Sequence, residues 1–309
     1  MAPITARSAA EAVFPETALA AFPGVKDYWD VLKPRVMSLA VFTALAGLVL
    51  APATLHPVLA LAAMLFTALG AGAAGCLNMW YEAELDAKMI RTRARPIPAG
   101  RMDRGTALGF GASLAVASVT FMALFLNFLA AALLALSIAF YVLIYTAWLK
   151  GRTPQSIVIG GAAGALPPVI GWAAATGAVS LYPLLLFAVI FAWTPAHFWA
   201  LALGCRDDYA RAGVPMLPNV AGEAATRRHI LAYAALTVAL SFAPVAFGFA
   251  GKIYLALAAL AGAAFLFRAA GLVLRPDAGK DKRFFVLSIF YLFAIFAGLL
   301  ADRAFAGVS

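Results

Sequence analysis

Charged side chains are scarce in this sequence. Asp, Glu, Lys and Arg make up 12% of its 309 residues, whereas hydrophobic types make up 64% and the mean hydropathy is +0.93. Soluble domains carry charge on about a quarter of their residues, so this composition excludes a soluble globular fold and indicates a polytopic membrane protein. The net charge of +9 does not indicate nucleic-acid binding, because the basic residues occupy short loops between apolar segments.

Cysteine and histidine are also rare. The two cysteines, Cys76 and Cys205, cannot form a disulfide framework and require no oxidising compartment. Each lies near the end of an apolar segment, where a small buried thiol is the simplest interpretation. Of the three histidines, His56 and His229 lie at the ends of apolar segments and are assigned no role.

The first 30 residues lack the compact apolar centre of a cleaved signal peptide, and they contain Glu11 and Glu16. We therefore predict a disordered cytoplasmic tail over residues 1–30, followed by a single membrane domain over residues 31–309. Tyr28 and Trp29 are suited to an interfacial segment at headgroup level just before the first span.

Long apolar runs are abundant. A helix needs about 20 apolar residues to cross a bilayer, because each residue advances it by about 1.5 Å. Nine stretches qualify, which predicts an all-α bundle of nine transmembrane helices around a central cavity: 36–53, 57–78, 106–126, 128–149, 155–176, 181–203, 229–249, 252–273 and 285–305.

The loops predict the orientation of the chain. Nearly all of the 23 Lys and Arg fall in the N-terminal segment or in the loops 79–105, 150–154, 204–228 and 274–284. The intervening loops are short and carry almost no charge. By the positive-inside rule the N-terminus is cytoplasmic and the C-terminus lies on the opposite side. This orientation also places the concentrated polar motifs at the cytoplasmic face.

The most informative stretch, residues 78–101, directly follows the second apolar run. Asn78, Glu82 and Asp86 fall on one helical face at about 100° per residue, whereas Glu84 points away. An amide and two carboxylates on one face suit Mg²⁺, which prefers oxygen ligands and usually shares them with substrate phosphates. The alternative is a solvated loop that obeys the positive-inside rule, but such a loop does not explain the acids.

Basic residues follow these acids, and guanidinium groups match phosphate oxygens. Arg91 and Arg95 precede Pro96 and Pro98, which are predicted to stop the helix. Farther along the chain, a loop carrying Lys150 and Arg152 follows the fourth apolar run, although by itself it is an ordinary positive-inside loop.

Two further candidates come from the sixth apolar run. Asp208, just beyond its end, either joins the metal–diphosphate contacts or is a solvated charge at a helix end. His197 lies about two turns inside the run. Placing an ionisable side chain inside a membrane span costs free energy, so its presence there indicates a functional role. Its imidazole is either an iron ligand or base, or a structural group bonded to a neighbouring helix.

These residues predict a metal–diphosphate site at the mouth of an apolar helical bundle. A lipid diphosphate fits such a site, with its head at the mouth and its tail among the spans. Mg²⁺ and arginines would stabilise the departing diphosphate, so that the C–O bond ionises to an allylic cation. Tyr81, Tyr141 and Tyr145 are candidates to stabilise that cation, although most aromatic residues in a bundle simply pack.

The motifs resemble those of the UbiA-type intramembrane prenyltransferases, and within them the haem O synthase (protohaem IX farnesyltransferase) family. The resemblance covers about residues 27–305, and the motifs occur in the family's order. They are Asn78-x3-Glu82-x3-Asp86, Arg91-Thr92-x2-Arg95-Pro96, Tyr145-Thr146-x2-Leu149-Lys150, the run 157–172, His197-Phe198-Trp199 and Asp208-Tyr209-x3-Gly213.

This resemblance implies transfer of a farnesyl group from farnesyl diphosphate to a vinyl group of haem B in a bacterial inner membrane. It further implies a downstream haem-modifying enzyme as a partner. The implied roles are Mg²⁺ and diphosphate binding for Asn78, Glu82, Asp86 and Asp208, diphosphate binding for Arg91, Arg95, Lys150 and Arg152, and haem contact for His197.

Three departures from the family's pattern concern the diphosphate contacts. Position 82 is Glu where the superfamily more often has Asp, which lengthens the ligand arm by one methylene. Position 156 is Ser where Asn is expected, and Gly151 separates the usual Lys–Arg pair.

Two other functions compete with this interpretation. One is a prenyltransferase of the same superfamily that acts on a quinone precursor or a chlorophyllide, which His197 argues against. The other is a transporter, whose polar groups would lie near the bilayer centre rather than crowd one face.

Overall fold

The computed structural model describes residues 23–306, and this part of the chain folds into helices without strands. The helices are α1 (Val25–Val31), α2 (Pro34–Leu50), α3 (Pro57–Tyr81), α4 (Ala83–Lys88), α5 (Arg104–Phe125), α6 (Phe128–Ala139) with a π-helical segment (Phe140–Leu149), α7 (Ser156–Ala165), α8 (Pro167–Thr176), α9 (Leu181–Gly204), α10 (Arg206–Arg211), α11 (Leu217–Val220), α12 (Glu223–Ser241), α13 (Ala243–Ala246), α14 (Lys252–Leu274) and α15 (Ala278–Ala306).

The predicted all-α, nine-span architecture is confirmed. Within residues 23–306, eight helices are long and apolar enough to cross a membrane, and α1 with α2 form a ninth, bent by 56°. We take α2 as the crossing part of that pair, because it coincides with the first apolar run. The remaining spans are α3, α5, α6 with the π-helical segment, α7 with α8, α9, α12 with α13, α14 and α15.

Part of the predicted tail is an ordered helix. Residues 1–22 lie outside the described residues, and their predicted disorder stays a prediction. Residues 25–30, however, belong to α1, where Asp27 accepts a hydrogen bond from Arg101 at 2.8 Å. Tyr28 packs edge-on against Phe110 of α5, with 4.9 Å between ring centroids. The prediction of disorder is therefore wrong for residues 25–30, because side chains of α1 pack and hydrogen-bond against the bundle.

The turn between α1 and α2 holds Lys33 in an unusual backbone conformation. Its φ of 55° is the one positive value at a non-glycine position among the described residues. Because Pro34 follows, the α-helical region is disfavoured at Lys33, and the helix restarts at the proline instead. Strained backbone of this kind occurs most often at functional sites.

Small residues allow the central helices to approach closely. An ideal Cβ on Gly171 of α8 would lie 1.9 Å from the carbonyl oxygen of Ala44 on α2. A Cβ on Gly47 of α2 would lie 2.0 Å from the carbonyl oxygen of Pro168. Such close contact stabilises the helix pair through van der Waals packing, because in lipid the hydrophobic effect does not drive helices together.

The topology places every long polar loop at one end of the bundle. The loops after α3 and α9, the π-helical segment's end and the turn between α14 and α15 all lie there, because each successive span reverses direction. The third and fourth spans form a close hairpin, since two residues separate α5 from α6 and Asn127 caps α6 by accepting from the Ala130 N–H.

Candidate active site

Asn78, Glu82 and Asp86 form a buried row where α3 passes into α4. The helix breaks at Glu82, but the four-residue spacing continues, because the Glu82 N–H donates to the Asn78 carbonyl and the Asp86 N–H donates to the Glu82 carbonyl. All three side chains are at most 5% exposed. Glu84 points outward as predicted and pairs with Arg104 at 2.9 Å. One helical face therefore gathers the amide and both acids.

A cation faces each member of this row. Lys33 Nζ lies 2.5 Å from Asn78 Oδ1, and Lys150 Nζ lies 2.5 and 2.6 Å from the two carboxylate oxygens of Glu82. In addition, a guanidinium nitrogen of Arg95 lies 2.6 Å from Asp86 Oδ2. Two carboxylates thus meet three basic side chains, so the cluster carries an excess of positive charge for an anionic ligand when Lys33 is protonated.

Lys33 was not predicted from the sequence as a site residue, because a lysine just before the first span satisfies the positive-inside rule. Its left-handed backbone conformation turns the side chain toward Asn78. Burial, with the neighbouring positive charge of Arg95, lowers the pKa of Lys33 to about 7. An anion placed beside this amine would favour its protonated form.

The π-helical segment positions the opposite wall of the site. Its wider turn lets Thr146 Oγ1 donate to the Tyr141 carbonyl oxygen at 2.8 Å, while the same hydroxyl accepts from Asn78 Nδ2 at 2.9 Å. The rings of Tyr141 and Tyr145 stack with 5.4 Å between centroids, and Lys150 lies at the end of this wall. π-Helical turns in spans are frequently found at functional sites. Of the three tyrosines singled out, Tyr81 is instead 46% exposed and donates to the Ala147 carbonyl.

Tyr145 has room beside the site because of a glycine on α7. An ideal Cβ on Gly160 would lie 2.3 Å from Tyr145 Cδ2, so even alanine would displace the ring. This contact explains one of the glycines in the run 157–172 and fixes the aromatic face near Lys150, whose Nζ lies 5.9 Å from the centre of the Tyr145 ring.

Asp208 organises the loop that carries the arginines. Its two carboxylate oxygens accept the backbone N–H groups of Ile90 and Arg91, each at 3.2 Å, and Arg211 also donates to it. Burial alone would raise the pKa of Asp208, but these hydrogen bonds outweigh that effect and lower it. Asp208 therefore tethers the loop after α4 to α10, and this use of its oxygens differs from the predicted direct metal contact.

The helix ends earlier than the prolines predict. Pro96 and Pro98 were expected to stop it, but α4 ends at Lys88. Thr92 Oγ1 donates to the Asp86 carbonyl at 2.9 Å, and Asp208 accepts the next backbone N–H groups. Hydrogen bonds to side chains thus replace the backbone hydrogen bonds that would continue the helix, and they do so before Pro96 is reached.

The structure separates the four predicted diphosphate-binding cations. Arg95 and Lys150 face the buried row and pair with Asp86 and Glu82. Arg91 donates to the hydroxyl of Tyr209 at 2.8 Å and lies over the same ring, 5.1 Å from its centroid. Arg152 is exposed beyond Gly151 and forms no ion pair within residues 23–306. Unlike Arg95 and Lys150, Arg91 and Arg152 therefore form no ion pair with the acids of the row in the described part of the chain.

His197 lies between two aromatic rings. Trp193 and Phe285 stack on its faces with centroid separations of 4.2 and 4.6 Å. Its Nδ1 lies 2.6 Å from Ser288 Oγ on α15, and that hydroxyl donates its own hydrogen to the Phe285 carbonyl. Ser288 must then accept from His197 Nδ1–H, which assigns the lone pair of the neutral imidazole to Nε2. Nε2 is the nitrogen left to ligate a metal or accept a proton.

The residues of the row fit a Mg²⁺ ion that is coordinated partly by protein oxygens and partly by phosphate oxygens. Asn78, Glu82 and Asp86 supply oxygen donors, and Asp86 Oδ1 is buried without a hydrogen-bond partner. In the part of the chain that the structure describes, no three His, Cys, Asp or Glu side chains converge into a complete metal site. The donor set therefore suits a cation that arrives with, and is partly coordinated by, a diphosphate.

Comparison with known proteins connects this geometry to a family. The family model described as "UbiA prenyltransferase family" matches residues 40–295. The chain belongs to the UbiA prenyltransferase family. Its relatives include the "Protoheme IX farnesyltransferase" of Rhizorhabdus wittichii, 57% identical over 91% of this chain and 95% of the relative. Another, of the same description, from Parvibaculum lavamentivorans, is 53% identical over 94% of this chain and 92% of the relative.

Solved structures share the fold of this UbiA prenyltransferase. A UbiA homologue from Aeropyrum pernix, without ligand, superposes with a TM-score of 0.70 at 22% identity and covers 87% of this chain and 98% of its own. A homologue from Archaeoglobus fulgidus, bound to DMAPP and Mg²⁺, has a TM-score of 0.64 at 19% identity and covers 88% and 99%. At these identities the likeness supports the fold alone.

Proposed function

We propose that this UbiA prenyltransferase transfers a farnesyl group from farnesyl diphosphate to a vinyl group of haem B. The observation that carries the proposal is the buried row Asn78, Glu82 and Asp86 opposite Lys33, Lys150 and Arg95, at one end of an apolar bundle that also encloses His197. Relatives more than 50% identical over most of the chain are named for this activity.

The cations and the acids have different tasks in this reaction. Lys33, Lys150 and Arg95 bind the oxygens of the diphosphate and stabilise the charge that develops on it as the C–O bond breaks. Asn78, Glu82 and Asp86 hold these cations in place and are the residues that would hold Mg²⁺. A bound Mg²⁺ supplies additional neutralisation of the leaving diphosphate.

The apolar bundle protects the allylic cation that ionisation produces. Tyr141 and Tyr145 present stacked rings beside the row, and aromatic faces attract cations. The vinyl group of the acceptor forms a bond to this cation, which leaves a carbocation on the vinyl carbon next to the porphyrin ring. Water adds to that carbon and loses a proton, which completes the hydroxyethylfarnesyl substituent. Excluding other water from the cleft until then prevents hydrolysis of the cation.

His197 orients the haem acceptor. Ser288 fixes its tautomer, and Trp193 and Phe285 fix the plane of the ring, so Nε2 is the nitrogen that approaches iron. Hydrogen bonding of the other ring nitrogen is the usual way in which proteins orient a metal-binding histidine. The charged end of the bundle faces the cytoplasm of a bacterial cell, as the distribution of Lys and Arg predicts.

The proposal is tested with purified enzyme in detergent, supplied with haem B, farnesyl diphosphate and Mg²⁺, and the products are analysed by mass spectrometry. We expect farnesylated haem from the unmodified protein. Asp86→Ala should lower turnover by about 100-fold or more, because it removes a group that organises charge around the leaving diphosphate. Haem binding, followed by the Soret band, should persist in this variant.

Glu84→Gln is the matched control, since Glu84 lies two residues from Asp86, on the exposed face of the helix, and pairs only with Arg104. Its turnover should remain within about twofold of the unmodified protein. Farnesylation of a phenolic quinone precursor or a chlorophyllide instead of haem would assign the chain to another branch of the family. Substrate flux into proteoliposomes without any prenylated product would contradict the enzymatic function itself.

A further inference from the structure

A second amphiphilic site lies between α14 and α15, at the same end of the bundle as the acidic row. The two helices enclose a cavity of about 770 Å³ that includes Leu272 and Phe284 in its wall. Phe267, Leu274 and Phe290 also line it and are each at least 65% exposed, so the cavity opens sideways toward the bilayer. Its walls therefore suit an apolar ligand that enters from lipid.

Four basic residues line the same cavity: Arg268, Arg275, Lys280 and Arg283. No acidic side chain lines it. Of the two nearby aspartates, Asp277 accepts from the Lys280 backbone N–H, and Asp281 is buried and forms an ion pair with Arg227 at 2.7 Å. Within residues 23–306, the three arginines form no ion pair. The groove thus combines an apolar wall with cations that lack a protein counter-ion.

Arg268 points most directly to a ligand. It lies six residues before the end of α14 at Leu274, which is about 9 Å along a helix that rises about 1.5 Å per residue. Its side chain is exposed on a membrane-spanning helix, where an unpaired charge is costly. A guanidinium at this depth extends toward the headgroup region, and an anion located there would offset the cost.

The groove is separate from the site proposed above. On α15, Phe285 and Ser288 face His197, whereas Arg283, Val286 and Phe290 line the groove. None of the basic residues of the groove contacts the row at Asn78, Glu82 and Asp86. A ligand bound here consequently occupies the outer surface of the bundle rather than the reaction cavity.

We infer that this groove binds an anionic glycerophospholipid from the surrounding leaflet. Its phosphate and headgroup lie among Arg268, Arg275 and Arg283, and an acyl chain lies along Phe267 and Phe290. Basic pockets between transmembrane helices at the cytoplasmic face are suited to such headgroups. The net positive charge selects a headgroup with net negative charge over a zwitterionic one, and the lateral opening selects a membrane lipid over a soluble phosphate.

The inference is tested by native mass spectrometry on the full-length, delipidated protein, titrated with dioleoyl phosphatidylglycerol or with dioleoyl phosphatidylcholine. The two lipids share their acyl chains and differ in net charge. We expect the anionic lipid to bind about tenfold more tightly. Arg268→Gln should weaken binding of the anionic lipid about fivefold, because one positive charge near the membrane surface contributes about that much affinity. Arg268→Lys keeps the charge and should retain most of the affinity.

Two further variants separate the groove from the rest of the surface. Lys252→Gln, at the opposite end of α14, should bind both lipids like the unmodified protein. Gly271→Leu should weaken binding of both lipids, because Gly271 lines the cavity and a Cβ there meets no atom within 4 Å, so the larger side chain enters the groove without disturbing the helices. Turnover of the proposed reaction should not change in these variants.

Equal affinity for the two lipids, or binding by Arg268→Gln equal to that of the unmodified protein, would overturn the inference. Glycerol 1-phosphate, which carries at least the negative charge of the headgroup but no acyl chains, should not compete. Competition by it at concentrations similar to the lipid would assign the groove to a soluble phosphate instead. Displacement of the bound lipid by farnesyl diphosphate, also lost in Arg268→Gln, would reassign it as a prenyl diphosphate site.

Discussion

At the scale of single residues, this structure shows polar groups that are oriented by their neighbours before any ligand binds. His197 is the clearest case. The hydroxyl of Ser288 can donate only one hydrogen, which it gives to the Phe285 carbonyl, and therefore accepts from His197 Nδ1. The same helix, α15, thus fixes both the tautomer and the plane of the imidazole.

Ser288→Ala tests this orientation. Without the acceptor, the imidazole loses the bond that keeps its lone pair on Nε2, so haem affinity should fall about tenfold and the Soret band should shift toward its position in His197→Ala. Spectrophotometric titration with haem B measures both quantities. Ser137→Ala is the matched control, because Ser137 also donates to a backbone carbonyl, that of Ala163, but forms no hydrogen bond with His197 in the described residues. A Ser288→Ala spectrum identical to the control's would limit Ser288 to packing.

At the scale of elements, the loop after α4 depends on α10. Asp208 and the backbone of Ile90 and Arg91 are more than 100 residues apart in the chain, yet one carboxylate holds both N–H groups. Hydrogen bonds to a charged acceptor are stronger than neutral ones. The loop that presents Arg91 and Arg95 is therefore held in place by a different helix from the one that it follows.

Asp208→Asn removes the charge and one of the two acceptor oxygens. We expect the KM for farnesyl diphosphate to rise about tenfold while kcat changes much less, because the loop would bind the diphosphate less well without altering the bond that breaks. Hydrogen exchange at Ile90 and Arg91 should become faster. Asp207→Asn, at the exposed neighbouring position, controls for the change of charge and should leave all three quantities unchanged. A loss of activity in Asp208→Asn without any change in hydrogen exchange at Ile90 and Arg91 would contradict a tethering role.

A second contact between elements controls stability. The crossing of α2 and α8 brings backbone to backbone at Gly47 and Gly171, so a side chain at either position meets a carbonyl rather than a flexible group. Gly171→Ala should destabilise the protein by about 1–3 kcal/mol, as overpacking typically does, and should lower its midpoint in a thermal melt in detergent. Gly164→Ala on α7, where a Cβ meets nothing within 4 Å, should leave the midpoint unchanged or raise it slightly. Equal midpoints for the two variants would exclude close packing as the reason for Gly171.

At the scale of the whole molecule, the charged groups are concentrated at one end of the helical bundle. The acidic row, its cations and the basic groove between α14 and α15 all lie at one end of the nine spans. An anionic substrate and anionic lipids are therefore attracted to the same face of the membrane. The apolar interior below that face then receives the hydrocarbon part of the substrate.

The orientation of the chain is tested by single cysteines in a background with Cys76→Ala and Cys205→Ala. A membrane-impermeant maleimide added to intact spheroplasts should label Thr54→Cys, in the exposed turn between α2 and α3. Ala94→Cys, exposed in the loop after α4, should be labelled only after lysis. The reverse pattern would place the polar end outside and contradict the proposed cytoplasmic position of the charged end.

Periodicity and composition determined much of this protein. Nine apolar runs were enough to predict nine spans, because a backbone in lipid must satisfy its hydrogen bonds within each helix. The four-residue spacing of Asn78, Glu82 and Asp86 was enough to predict one shared face. The motifs along the chain were enough to indicate the family.

The tertiary structure decided which cation faces which acid. Lys33, Lys150 and Arg95 come from three separate segments, and no local spacing relates the first two to Asn78 and Glu82. It likewise decided that Arg91 and Arg152 pair with no acid of the row, that Asp208 tethers a loop, and that Ser288 sets the tautomer of His197. The physical reason is that helical periodicity fixes the direction of a side chain within its own helix, whereas its partner depends on how separate helices pack against one another.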